Sequence, residues 1–224
     1  TTTIEKEVDY TDIHFNLLRC SSNLKGPTDN FRDIDNNIIN QVNNTAKYYF
    51  KDNVNLNHVL AQVYHNQVLE NKERKAKIKE HSDKTKDMNK NAIMAFCSFY
   101  KQYQNGVFGE EHMSNVKQDG FNYLHNKGSV LTTLRFRLKK CVNNPYLTKT
   151  FDVLLYPNSV FLMSLTTNRL YTHEIIPPSM PICHIPTRMG YVIRCSSTPA
   201  VFRDGNTYIN DKQLVPGTED DIKS

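Results

Sequence analysis

The 224-residue chain has no long apolar run. Stretches such as Ile93–Phe96 and Val160–Met163 fall far short of the roughly 18 residues that a membrane-spanning helix needs, so no membrane association is expected. No apolar leader is visible either. The first residues, TTTIEKEVDY, are polar and charged, which predicts no signal peptide and an intracellular, cytoplasmic or nuclear protein that is not secreted. Cysteine is scarce: Cys20, Cys97, Cys141, Cys183 and Cys195 are an odd set, and no CxxC occurs. That disfavours a zinc ribbon or a disulfide framework and favours a reducing compartment. No internal repeat is visible. Neither sign of charge dominates, since 28 Lys+Arg stand against 23 Asp+Glu for a net +5. With 12 Tyr and 11 Phe to build a core, the composition excludes a disordered chain.

What is present is mostly β. Residues 34–50 (IDNNIINQVNNTAKYYF) place apolar side chains at 34, 38, 39, 42, 46 and 50, which predicts an amphipathic helix. Residues 57–64 (NHVLAQVY) fit a strand or a short helix. In 71–90, Lys72, Arg74, Lys75, Lys77, Lys79, Lys84, Lys86 and Lys90 stand against Glu73, Glu80, Asp83 and Asp87. That segment reads as a solvated loop or a basic substrate patch. AIMAFCSFY (92–100) has the content of a buried strand, and Cys97 within it, like Cys195 later, reads as a buried thiol. Residues 104–128 read as a long loop. LTTLRFRLKK (131–140) alternates Leu134, Phe136 and Leu138 with Arg135, Arg137 and Lys139, a strand with cations facing solvent. FDVLLY (151–156) and SVFLMSL (159–165) read as a hairpin about Pro157-Asn158. RLYTHEII (169–176) and GYVIRCS (190–196) are further strands, joined by an irregular proline-rich segment. AVF (200–202) and TYI (207–209) flank Asp204-Gly205, which suits a type I′ turn. Short strands at this spacing predict a sandwich, jelly roll or barrel with N-terminal helices flanking it, an α+β chain that is mostly β. The expected organisation is an N-terminal extension over 1–56, a core over 57–212 and a flexible tail over 213–224.

The candidate chemistry lies in His81-x-Asp83 and a later histidine, His173 in YTHEI. Two imidazoles and one carboxylate form the facial triad of non-haem Fe(II) oxygenases, and leave adjacent positions open for a bidentate keto acid and for dioxygen. On spacing alone HxD recurs by chance, and eight histidines offer many partners. Two arginines add to it. Arg188 and Arg194 in RMGYVIR are six apart, so an extended strand points both to one face. A guanidinium fork pairs bidentately with a carboxylate, as a dicarboxylate cosubstrate needs. The competing reading is two arginines on an edge strand.

In this order the pieces resemble the AlkB family of Fe(II)/2-oxoglutarate dioxygenases. The resemblance runs from about Asn57 to Ser196: NHVLAQVYHN, HSD, AIMAFCSFY, LRFRLK, LYPNSVFLMSL, YTHEI and the R-x5-R of RMGYVIR. It implies a double-stranded β-helix, a jelly roll, with iron on His81, Asp83 and His173. It implies further that Arg188 binds the distal carboxylate of 2-oxoglutarate and that Arg194 lies by the carboxylate next to the keto group. Gln62-Val63-Tyr64 matches the family's N-x-Y, whose tyrosine touches 2-oxoglutarate. The chain departs from the family at Gln62, where an Asn is usual, at Gly190, where the bacterial member has an Asn, and in the charged segment that separates Tyr64 from His81.

The resemblance implies an oxidative demethylase or hydroxylase, with ascorbate as reductant in vitro. Its substrate would be a modified base in DNA or RNA, single-stranded or flipped out, as in DNA repair. The net charge, the 71–90 segment and the stripe of Arg135, Arg137, Lys139 and Lys140 fit a phosphate backbone. Two alternatives remain: a 2-oxoglutarate-dependent hydroxylase of a protein or small molecule, and a non-catalytic jelly-roll binding module. His184 and the remaining histidines read as surface or core residues. Glu174 is expected to point away from the metal, and Tyr171 towards the same face as His173.

Overall fold

A computed structural model describes residues 12–18, 29–51, 55–101, 124–125 and 128–215. In chain order the first elements are β1 (Ile13–Leu17), α1 (Asp33–Tyr49), β2 (His58–Tyr64), β3 (Gln67–Leu69), β4 (Lys72–Arg74), β5 (Ile78–His81) and β6 (Ile93–Tyr100). Next come β7 (Leu124–His125), β8 (Gly128–Ser129), β9 (Thr133–Leu138), β10 (Thr150–Leu154), β11 (Ser159–Ser164), α2 (Leu165–Leu170) and β12 (Tyr171–Ile176). The last are β13 (Arg188–Arg194), β14 (Thr198–Arg203), β15 (Asn206–Ile209) and β16 (Lys212–Gln213). Strands predominate, as the alternating sequence predicts.

The strands form three four-stranded sheets, ordered β1-β14-β15-β16, β10-β9-β12-β5 and β11-β6-β13-β2, with β3-β4 and β7-β8 as small pairs. Two expectations change here. Residues 151–165 are not a hairpin, because β10 pairs with β9 while β11 joins the sheet of β6. The Pro157-Asn158 turn, with Asn158 at φ 55, carries the chain from one sheet to another. The chain then turns through α2, whose start is capped by Ser164 accepting from Thr167 N–H, before β12 begins. The basic 71–90 segment also has more structure than a loop. Glu70 and Asn71, at φ 50 and 61, make the left-handed two-residue turn of a β3-β4 hairpin. The predicted loop over 104–128 falls mostly outside the described residues.

Inter-residue contacts group the chain into two compact units: Thr1–Leu60, Asp83–Ala95 and Ile193–Ser224 form one, and Ala61–Ser82 with Phe96–Val192 form the other. The first unit holds α1 and the β1-β14-β15-β16 sheet. β1, which periodicity did not mark, pairs antiparallel with β14 and buries Phe15 and Leu17 against Ala200, Phe202, Ile209 and Leu214. The turn between β14 and β15 has Asp204 and Gly205 at φ 48 and 76, the type I′ signature that Asp-Gly predicts. The helix α1 begins with Arg32 N–H donating to Asp35 Oδ2 at 3.0 Å, and it buries Ile39, Val42 and Ala46 at helical spacing. Asn43 then uses its amide twice, accepting from Leu56 N–H at 2.9 Å and donating to Leu56 O at 3.1 Å. In the second unit β9 buries Leu134 and Phe136 and turns Arg135 and Arg137 outward, as its alternation predicts. No helix among the described residues is long and apolar enough to cross a membrane.

His58, at the start of β2, is 2% exposed. Burial, helped by the charge of Arg194, pushes its pKa down from 6.5 to about 3. The folded chain thus keeps His58 neutral, whereas the unfolded chain protonates it below its ordinary value. Stability is lost as pH falls from that value towards the folded one. Between pH 7 and pH 5 this linkage amounts to about 2 kcal/mol at 1.36 kcal/mol per unit. Urea unfolding of metal-free protein should therefore show His58→Gln losing less stability over that interval than wild type. Parallel pH slopes would count against the neutral buried histidine.

Candidate metal centre

The pairing of β5 with β12 places His81 directly opposite His173. Their ring centroids are 4.4 Å apart. His81 ends β5, and two residues later the chain supplies Asp83. One ligand atom from each of His81, Asp83 and His173 lies within 4.8 Å of the others, so the three lie close enough together to hold one metal ion. Two imidazole nitrogens and a carboxylate oxygen are the donor set of a facial triad for a divalent transition metal.

Each ligand is oriented by its surroundings. His81 Nδ1 lies 2.8 Å from the carbonyl oxygen of Lys79. A carbonyl only accepts, so Nδ1 carries the proton and Nε2 the lone pair. His173 is buried, with Phe96 edge-on at 5.9 Å and Phe136 tilted at 5.9 Å. Phe161 packs on both phenyl rings, so an apolar wall backs this imidazole. Asp83 accepts from Arg194 Nε at 3.1 Å and Nη2 at 2.8 Å. Both bonds end on Oδ2, so the ion pair does not engage Oδ1. The two side chains are only 6% and 7% exposed, and the pair therefore carries much of its charge out of water. Arg194 is itself held by the chain around it: Asn57 N–H donates to Arg194 O at 2.9 Å, and the Asn57 amide bonds both Ser196 N–H and Ser196 O.

Arg188 has no such carboxylate among the described residues. It is 4% exposed, and burial lowers its pKa while Tyr64 and Tyr100 oppose the shift. Nη1 donates to Ser98 Oγ at 3.4 Å. Nε and Nη2 have no hydrogen-bond partner among the described residues. These two share one side of the guanidinium, the edge that meets a carboxylate bidentately. The Tyr64 ring lies on the guanidinium face, 4.1 Å from the ring centroid to Cζ, and Tyr64 OH donates to Gln62 Oε1 at 3.2 Å. A Cβ at Gly190 would come within 3.1 Å of Tyr64 Cε2 and 3.2 Å of Arg188 Nη1. Gly190, in mid-strand, is thus where the stacked pair needs the room.

Of the residues expected at the site, His81, Asp83 and His173 come together, Arg194 joins Asp83, and Tyr64 stacks on Arg188 while its hydroxyl bonds Gln62. Glu174 points away from the imidazoles to an ion pair with Arg137, and the Tyr171 hydroxyl is used on Thr148 O at 3.0 Å. Burial pushes the Cys97 thiol up to about 12 and raises that of Cys195, so both are inert. Cys141 and Cys183 are exposed, and Cys20 lies outside the described residues. Sequence reasoning passed over Ser98, although it is the polar residue in the apolar run AIMAFCSFY, and it passed over the phenyl wall. Compared with known proteins, the chain matches no family model and no curated protein.

Asp83 thus belongs to both the ion pair and the His-Asp-His cluster, and substitution can separate the two. Asp83→Ala removes the carboxylate from that cluster and strands a buried guanidinium, at a cost of about 3–5 kcal/mol in unfolding free energy. Adding Arg194→Met removes the stranded charge. The double variant is expected to regain stability in urea titrations yet still fail to give the visible absorption bands of bound Co(II). Tight Co(II) binding by either variant would overturn the ligand assignment.

Proposed function

We propose that the chain is an Fe(II)- and 2-oxoglutarate-dependent dioxygenase of the AlkB type, with its core strands arranged as a jelly roll. We propose further that it oxidises an alkyl group on a base of single-stranded or flipped-out nucleic acid. One observation carries the reading. A His-Asp-His cluster occurs in the same chain as a buried arginine that keeps its bidentate edge unpaired. A buried guanidinium without a carboxylate is costly, and a dicarboxylate cosubstrate supplies one. Bound iron and 2-oxoglutarate would reduce dioxygen and oxidise a substrate C–H bond, leaving succinate and carbon dioxide, and from an N-methyl base formaldehyde.

The chain's own residues take the remaining tasks. Arg188 grips the distal carboxylate through Nε and Nη2, with Tyr64 stacked behind to fix the plane of the fork. Arg194 balances the charge of Asp83 and keeps Nη1 as a further buried donor. Phe96, Phe136 and Phe161 keep water from the far side of His173 and hold its ring. The exposed hairpin side chains Lys72 and Arg74, with Lys77 and Lys79 between the hairpin and His81, supply cations on the approach to the metal ligands. Lys75 is not among them, since its Nζ donates to Pro178 O at 3.0 Å. Nor are Arg135 and Arg137, because Asp152 binds the first at 2.7 Å and Glu80 the second at 3.0 Å. The pairing of both arginines of that stripe favours a second reading, in which the same chemistry acts on a protein or small molecule.

Protein supplied with Fe(II), ascorbate and 2-oxoglutarate should form succinate slowly alone, and should release formaldehyde from methylated single-stranded oligonucleotides. Succinate without formaldehyde points to the second reading. No succinate and no metal uptake would leave only a non-catalytic binding module. Within the enzyme reading, Arg188→Lys keeps the charge but loses the fork, and should weaken 2-oxoglutarate binding by about ten- to a hundredfold with Co(II) affinity unchanged. An affinity for 2-oxoglutarate within twofold of wild type would remove Arg188 from that role. Replacing Lys72, Arg74 and Lys77 together by Gln should lower the salt slope of single-strand binding by about two units. An unchanged slope would place the nucleic acid elsewhere or rule it out.

A further inference from the structure

We infer that Arg137 is a positioning residue for the metal ligands, clamping from the opposite sheet face the two strands that carry His81 and His173. The inference rests on the metal-centre reading above. It starts from β5, four residues long at the edge of its sheet, whose one strand partner among the described residues is β12. The register of that pairing shifts between His173 and Ile175. So short and irregular a ladder holds an edge strand weakly.

In sequence each histidine adjoins a glutamate, as Glu80-His81 and His173-Glu174. Strand alternation sends the two imidazoles to one face and the two carboxylates to the other. With His81 opposite His173, the glutamates meet across the strand pair, where like charges push the strands apart. Arg137 sits on β9, on the other side of β12, with Thr172 as its cross-strand partner. Its Nη1 reaches across to Glu80 Oε2 at 3.0 Å and also bonds Glu174 Oε1. Thr172 Oγ1 adds a bond to Glu80 Oε1 at 2.6 Å. One cation thus spans three strands and turns a repulsive pair of carboxylates into a staple on the edge strand.

An exposed ion pair alone holds little. Here, however, the side chains are only partly exposed, at 35% for Arg137, 45% for Glu80 and 20% for Glu174, and removing the arginine also releases a repulsion. Arg137→Gln should weaken Co(II) binding by about three- to tenfold and speed amide exchange of residues 78–81, with the global unfolding midpoint nearly unchanged. Arg137→Lys, which puts the charge on one ammonium, should fall between the two. The deciding arm is rescue. Glu80→Gln and Glu174→Gln added to Arg137→Gln remove the repulsion and should restore Co(II) affinity to near the wild-type value. A purely structural loss would only deepen. Wild-type Co(II) affinity in Arg137→Gln, or no rescue in the triple variant, overturns the inference while the metal centre stands. Wild-type protein that takes up no Co(II) sinks the metal centre and this inference with it.

Discussion

Asp83 and Arg194 meet almost wholly out of water, and neither charge can stay there alone. Their pairing sets what surrounds it. The carboxylate is turned so that one oxygen serves the guanidinium. The end of β13 is held where Arg194 can reach, through Asn57, which bonds the backbone of both Arg194 and Ser196. A carboxylate fixed in this way has little freedom left to lose, and it is held beside His81 and His173, close enough for the three to hold one metal ion.

Arg188, at the other end of β13, shows the opposite solution to the same constraint. It is equally buried but has a hydroxyl and an aromatic face for partners instead of a carboxylate. Stacking and one hydrogen bond offset part of the desolvation cost, and an edge with two unpaired donors keeps the rest as binding potential for an anion. Gly190 belongs to this arrangement. A glycine in the middle of a strand weakens it by roughly 0.5–1 kcal/mol, and the gain is room for Tyr64 and Arg188 to pack together.

Charge on the outside follows a different logic. The cations of β9 read as a phosphate-binding stripe when only their own strand is considered. The partners of Arg135 and Arg137 lie on β10, β12 and β5, so the folded sheet pairs both arginines, while Lys139 donates to Asn168 O. The cations of the β3-β4 hairpin are left exposed, so any attraction for a polyanion shifts towards that hairpin. One constraint thereby separates arginines that hold strands from basic residues that face solvent.

Much of this was legible in the sequence wherever the controlling interactions are local. Helical spacing marked α1, alternation marked β9 and its buried Leu134 and Phe136, and Asp204-Gly205 marked its turn. HxD with a later histidine marked three residues that the fold brings close enough together to hold a metal ion. The tertiary structure alone decided the rest. A Pro-Asn turn says that the chain bends, but not that β10 and β11 belong to different sheets. Nothing near Asp83 in the chain announces Arg194, which lies 111 residues away. Nothing near Arg137 announces that Glu80 and Glu174 will share it. Periodicity and turn chemistry act over a few residues and can be read along the chain. Strand pairing and the pairing of buried charge join distant residues, and they exist only once the chain has closed on itself.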